Sequence, residues 1–199
     1  NFESTEVKFI LDKDNNPVDV YFKESLSTNH LIEEFMLLAN KTVAKHIGFP
    51  KKDAKSFVYR VHDLPDTDRI STLNNIVKKF GHSINNENSN KLSESLNDLL
   101  KKVKGKKEQQ MVETLTIRSM AKAVYSTNNI GHYGLSFDYY SHFTSPIRRY
   151  PDLIVHRLLE DYINGATSVG KENLEKVCKH CSEMEKTASR AERDSIKFM

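Results

Sequence analysis

The apolar residues of this chain change period after its first thirty positions, and that change limits the folds open to it. Val7, Phe9 and Leu11 alternate with polar residues, as do Val18, Val20 and Phe22, around the turn-forming run Asp12-Lys-Asp-Asn-Asn-Pro17. A period of two puts every second side chain on one face of a strand, so this stretch predicts a β-hairpin with one buried face. After Ser27-Thr28-Asn29, a capping cluster, the spacing becomes helical: Leu31, Ile32, Phe35, Leu38, Ala39, Ala44 and Ile47, stopped by Gly48-Phe-Pro50. Helices are likewise expected over 66–80, between Pro65 and Gly81, over 93–102 and over 108–123. Two more follow Pro151 and Lys171. Short strands are expected over 57–61 and across Tyr133, Leu135 and Phe137. The fold class is α+β, read as one helix-rich unit with a hairpin and short strands.

With about 150 residues as a typical domain, 199 residues make one large domain or part of one. A net charge of +3 and a pI near 8.7 suit a polyanionic partner without requiring one. Two cysteines are too few for a disulfide scaffold. No apolar run approaches the ~20 residues of a membrane span, and no charged-then-apolar leader opens the chain, so a cytoplasmic location is expected. The first residue is Asn1, directly before a strand-like segment, and Met199 falls inside a helical run. Both ends read as cuts through a longer polypeptide.

The richest segment chemically is His142-Phe-Thr-Ser-Pro-Ile-Arg-Arg-Tyr-Pro-Asp152. Its prolines hold the backbone extended, Thr144 and Ser145 supply hydroxyls, and the adjacent Arg148 and Arg149 must point in different directions. Pro151 suits the first turn of a following helix. A helix N-terminus carries unpaired N–H groups and partial positive charge, and an arginine fork beside it makes a phosphate site. The alternative is a structural arginine paired with Asp152 or with a carbonyl.

Gly134-Leu-Ser-Phe followed by His142 to Leu158 resembles the signature of the ribonuclease II/R family of RNB-domain exoribonucleases, most like its bacterial ribonuclease R members. Asn1-Phe-Glu-Ser, Leu31-Ile-Glu-Glu-Phe-Met-Leu-Leu-Ala-Asn40, Tyr59-Arg-Val-His-Asp-Leu-Pro65 and Arg118-Ser-Met-Ala-Lys-Ala-Val-Tyr125 agree with the family in order. The resemblance implies the C-terminal half of an RNB catalytic domain spanning 1–199, without the upstream aspartate cluster or flanking nucleic-acid-binding barrels. It further implies a processive, magnesium-dependent 3′→5′ hydrolysis of single-stranded RNA to nucleoside 5′-monophosphates, with magnesium held by aspartates outside this chain and no metal ligand within it. By position, Arg148 resembles the family's arginine that grips the phosphate at the scissile end, where it would neutralise transition-state charge. Phe2 matches an aromatic that stacks on terminal bases. Glu33 and Glu192 resemble glutamates facing the bound strand, where a carboxylate can accept from a ribose 2′-hydroxyl; Glu34 reads as fold support. Thr144, Ser145 and Arg149 complete the expected RNA-binding set.

The resemblance implies that the parent protein is an exoribonuclease and that this chain alone is inactive. The competing reading is an RNA-binding or regulatory relic without catalysis. Expected partners are single-stranded RNA and the missing N-terminal half of the domain, with no membrane. Self-association through the uncovered hairpin or first helix is also expected. The run Lys101, Lys102, Lys104, Lys106 and Lys107 reads as a solvated loop, Cys178-Lys-His-Cys181 as a helical pair lacking further zinc ligands, and His62 as a framework residue.

Overall fold

The computed structural model describes residues 6–14, 16–23, 26–49 and 54–198. Where the sequence reads as one α+β unit, the chain packs as two compact units. The first comprises Asn1–Val61 with Val124–Met199, and the second His62–Ala123. The helix-rich α+β class holds.

In the first unit, β1 (Glu6–Leu11) and β2 (Pro17–Lys23) pair antiparallel, with Lys8 opposite Tyr21 and Phe9 opposite Val20. Asp12 makes the turn, its Oδ1 accepting from Asp14 N–H at 2.9 Å and Asn16 N–H at 2.8 Å. The hairpin forms as expected, but its buried face does not: Ile10, Val18, Val20, Tyr21 and Phe22 are exposed. Two strands alone provide no second layer to cover either face.

Helix α1 (Ser27–Gly48) begins where Asn29 Oδ1 accepts from Leu26 N–H at 2.9 Å. Its first half keeps Leu31, Ile32, Phe35 and Leu38 in solvent, whereas Asn40, Ala44 and Ile47 are buried. Gly48 closes the helix for a packing reason. A Cβ there would lie 2.7 Å from both the Tyr139 ring and the Tyr59 hydroxyl. Strands β3 (Tyr59–Val61) and β4 (Val124–Ser126) pair antiparallel, and α5 (Tyr150–Ile163) and α6 (Lys171–Phe198) complete the unit. Phe57, Val58, Val155 and Cys178 form the centre of its core.

The strand expected across Tyr133, Leu135 and Phe137 is instead a 3-10 turn, Tyr133–Leu135. His132 Nδ1 accepts from Leu135 N–H at 3.2 Å, and Ser136 follows in the left-handed region at φ 55°, so the chain bends where alternation suggested extension.

The second unit contains α2 (Thr67–Lys78), α3 (Ser89–Val103) and α4 (Gln109–Ser119) around Ile70, Leu73, Val77, Leu96, Val103 and Val112. Asp66 caps α2 by accepting from Asp68 N–H at 3.0 Å and Arg69 N–H at 3.2 Å, an arrangement worth about 0.5–2 kcal/mol. Helix α4 stops short of the expected 123, and Ser119 O accepts from Asp66 N–H at 3.2 Å. Among the described residues no helix is long and apolar enough to cross a membrane.

Candidate functional site

The segment from Tyr140 to Asp152 has no regular structure before α5, so its shape depends on side chains from its neighbours. Ser141 Oγ donates to Val58 O at 2.6 Å, and Arg60 N–H of β3 donates to Tyr140 O at 2.9 Å. From α1, Asn40 Oδ1 accepts from Phe143 N–H at 2.9 Å while its amide donates to the Tyr140 hydroxyl at 3.2 Å. From α5, His156 Nε2 hydrogen-bonds Phe143 O at 2.8 Å, and its ring stacks on Phe143 at 4.0 Å. Ser145 O then accepts from the N–H groups of Arg148 (3.3 Å) and Arg149 (3.1 Å), closing a tight turn.

The two arginines part at this turn. Arg149 folds inward, donating from Nη2 to Asp152 Oδ1 at 2.8 Å, and the same oxygen accepts from Ser145 N–H at 2.8 Å. Asp152 is fully buried, in the first turn of α5. Arg148 faces solvent, between an Ile147 that is 102% exposed and Arg149. Immediately after it, α5 begins with its unpaired N–H groups and the positive end of its dipole. A solvent-facing guanidinium beside a helix N-terminus can grip an anion. Thr144 Oγ1, Arg149 Nε and Asp152 Oδ2 are buried without a hydrogen-bond partner among the described residues.

Behind the turn lies a second polar layer. His142 Nδ1 and the Tyr125 hydroxyl are 2.8 Å apart. Arg60 stacks over Tyr125 at 4.6 Å and forks onto both Glu185 oxygens at 2.7 and 2.9 Å. Burial, then the nearby Arg149 and Arg60, lower the His142 pKa to about 3; burial pushes Tyr125 up to about 12. Both rings are therefore neutral at physiological pH. The Arg60–Glu185 pair ties β3 to α6.

The other expected residues are spread across the first unit or lie outside the described residues. Phe2 is outside the described residues. Glu33 is exposed on α1, with Oε2 3.4 Å from His30 Nδ1, and Glu192 is exposed on α6. Among the described residues, neither makes a hydrogen bond or ion pair to the 144–149 turn. Thr144 and Ser145 are half-buried within it.

Among the described residues no group of three or more His, Cys, Asp or Glu could hold a metal ion. Cys178 and Cys181 are buried free thiols; burial pushes Cys178 up to about 12 and raises Cys181. The five lysines around Gly105 are exposed in the second unit. His62 Nε2 lies 2.7 Å from Ala121 O, a framework contact. Sequence reasoning missed Asn40, Arg60, His156 and Glu185 as supports of the turn. A polar Asn within an apolar helical run was the one signal available.

The sequence matches the RNB domain over residues 1–165, and the chain belongs to that family. Ribonuclease R of Thermotoga maritima is 44% identical over 98% of this chain. Mycoplasma genitalium RNase R, solved in complex with ribose-methylated single-stranded RNA, superposes with a TM-score of 0.84 at 27% identity, covering 100% of this chain. Yeast Ssd1, described as a pseudonuclease, gives a TM-score of 0.64 at 26% identity over 77% of this chain. The chain spans 28% of the Thermotoga protein, 32% of the Mycoplasma chain and 19% of the Ssd1 chain.

Proposed function

We propose that this chain is the RNA-gripping, C-terminal part of an RNB catalytic domain, in a protein that processively hydrolyses single-stranded RNA from its 3′ end to nucleoside 5′-monophosphates. The observation that carries this reading is the exposed Arg148 on a braced turn at the start of α5. A guanidinium so placed can neutralise charge as it builds on the scissile phosphate. Its fork matches two phosphate oxygens. The RNA-bound Mycoplasma relative supports single-stranded RNA as the ligand. In this reading Phe2 stacks on the terminal bases, Glu33 and Glu192 meet ribose hydroxyls, and Thr144, Ser145 and Arg149 shape the turn beneath the phosphate.

In this reading magnesium would be held by aspartates elsewhere in the protein and would supply activation of water and charge stabilisation at the leaving oxygen. This chain's own residues grip and orient. The rest of the domain covers the hairpin and the first half of α1, and a cytoplasmic location accompanies this function. Alone, the chain is inactive and associates through that uncovered face.

Labelled poly(A) and magnesium test the proposal. The protein from the full reading frame is expected to release mononucleotides, and the 199-residue chain to release none. Metal-dependent release by the isolated chain that survives repurification would overturn its assignment as the non-catalytic part. A relic without catalysis is the second reading, favoured by the likeness to the yeast pseudonuclease. A full-frame protein that binds RNA yet releases nothing would establish it.

A further inference from the structure

We infer that Asp152 is a positioning residue for the reaction, fixing from below the turn that presents Arg148; the inference rests on the role proposed above for Arg148. A fully buried carboxylate is costly unless it is paired and hydrogen-bonded. Asp152 meets that condition through Oδ1, which takes Ser145 N–H and Arg149 Nη2, each at 2.8 Å. These two donors lie on either side of Arg148 in the chain. One oxygen therefore staples both ends of the segment Ser145-Pro-Ile-Arg-Arg149, whose tip, Ile147, is fully in solvent. Among the described residues no other side chain makes a hydrogen bond or ion pair to residues 146–148. The backbone from which Arg148 reaches out is therefore set by the base of the turn, which Asp152 holds together with the Ser145 carbonyl.

The same contact separates the two arginines. While Asp152 holds Arg149 inward, a single guanidinium faces outward. Without the carboxylate charge, Arg149 can swing out and offer a phosphate a second, misplaced fork. Affinity for RNA would then survive, and turnover would not.

The experiment uses the full-frame protein carrying Asp152→Asn, which keeps an acceptor for Ser145 N–H and removes the charge that retains Arg149. Single-turnover rates per folded molecule are measured on single-stranded RNA, with RNA affinity determined by anisotropy in magnesium-free buffer. The expected result is a rate loss of about 10- to 100-fold, the scale of a small misplacement near the chemistry. Affinity should stay within about threefold, well under 1 kcal/mol. The double variant Asp152→Asn/Arg149→Met leaves no unpaired buried charge and covers the case in which the single variant fails to fold. It too should lose turnover by a larger factor than it loses affinity. Parental rates in the folded variants, or rate and affinity falling together, would overturn the inference. Arg148→Ala runs alongside: if it retains full turnover, the reading of Arg148 fails and this inference fails with it.

Discussion

The turn at 144–149 and the hairpin at 6–23 are both short, irregularly supported pieces of the first unit, yet the fold treats them in opposite ways. Asn40, Val58, His156 and Asp152 brace the turn and the segment leading into it from α1, the β3 side and α5, and each contact fixes a backbone group. The hairpin has its own turn and its own ladder, while Ile10, Val20 and Phe22 remain in solvent. Alternating apolar residues specify a strand but do not create the layer that covers it. Backbone polar groups, by contrast, are satisfied locally, because leaving them unpaired in a buried place costs the full desolvation penalty. The chain thus completes the scaffold of its proposed chemistry and leaves an apolar surface of the kind that partners cover.

Several experiments would break or sharpen that contrast. The largest effect belongs to Arg148: in the full-frame protein, Arg148→Ala is expected to lower turnover by roughly 10²–10³-fold, the scale of removing one transition-state donor. RNA affinity should fall far less, and Arg148→Lys should recover only part of the rate, because an ammonium lacks the fork. Matching losses in binding and turnover would make Arg148 a general anchor.

Next is Asn40→Ala, which strands Phe143 N–H and the Tyr140 hydroxyl in a buried place. Urea unfolding is expected to register a loss of about 1–3 kcal/mol. A loss below about 0.5 kcal/mol, typical of surface positions, would mean the turn does not depend on α1.

The layer behind the turn carries a pH signature. The folded pKa of His142, about 3, lies below its ordinary 6.5, so below pH 6.5 the unfolded chain binds a proton that the native ring refuses. Stability from this source is complete above 6.5 and falls toward pH 3, with a limiting slope of roughly 1.4 kcal/mol per pH unit. Unfolding measured between pH 6.5 and 5 should show a slope climbing toward that limit in the parent, and His142→Gln should lose that contribution. Equal slopes would refute the assignment.

The smallest effect is expected in the hairpin. Phe22→Ser should change stability by no more than about 0.5 kcal/mol, since an exposed side chain loses little burial. It should nevertheless weaken concentration-dependent association of the isolated chain in light scattering. Association unchanged by Phe22→Ser would mean that another surface is the sticky one.

Periodicity foretold the helices because each has one face packed on a core, as Leu73 and Val77 do in α2 or Leu158 and Tyr162 in α5. It failed across Tyr133, Leu135 and Phe137, where a His132 side chain captures Leu135 N–H and local capping defeats alternation. It also promised a buried hairpin face, because alternation records a surface suited to burial and is silent about what lies opposite. At the candidate site, the adjacent arginines and Pro151 were legible, including their need to diverge. Spacing alone did not tell the inward arginine from the outward one; the family resemblance pointed to Arg148, and the fully buried Asp152 shows why Arg149 is the one turned inward. Asn40, Arg60 and Glu185 were invisible as supports because their partners lie 100 or more residues away in sequence.

The two cysteines of α6 give the molecule an internal clock. Cys178 and Cys181 are held against the core, where burial raises both thiols and shields them from an alkylating reagent while the helix stays in place. Modification therefore waits on α6 lifting away. Where reclosing outpaces alkylation, its rate relative to that of a free thiol yields, without denaturant, the free energy that keeps this part of the helix closed.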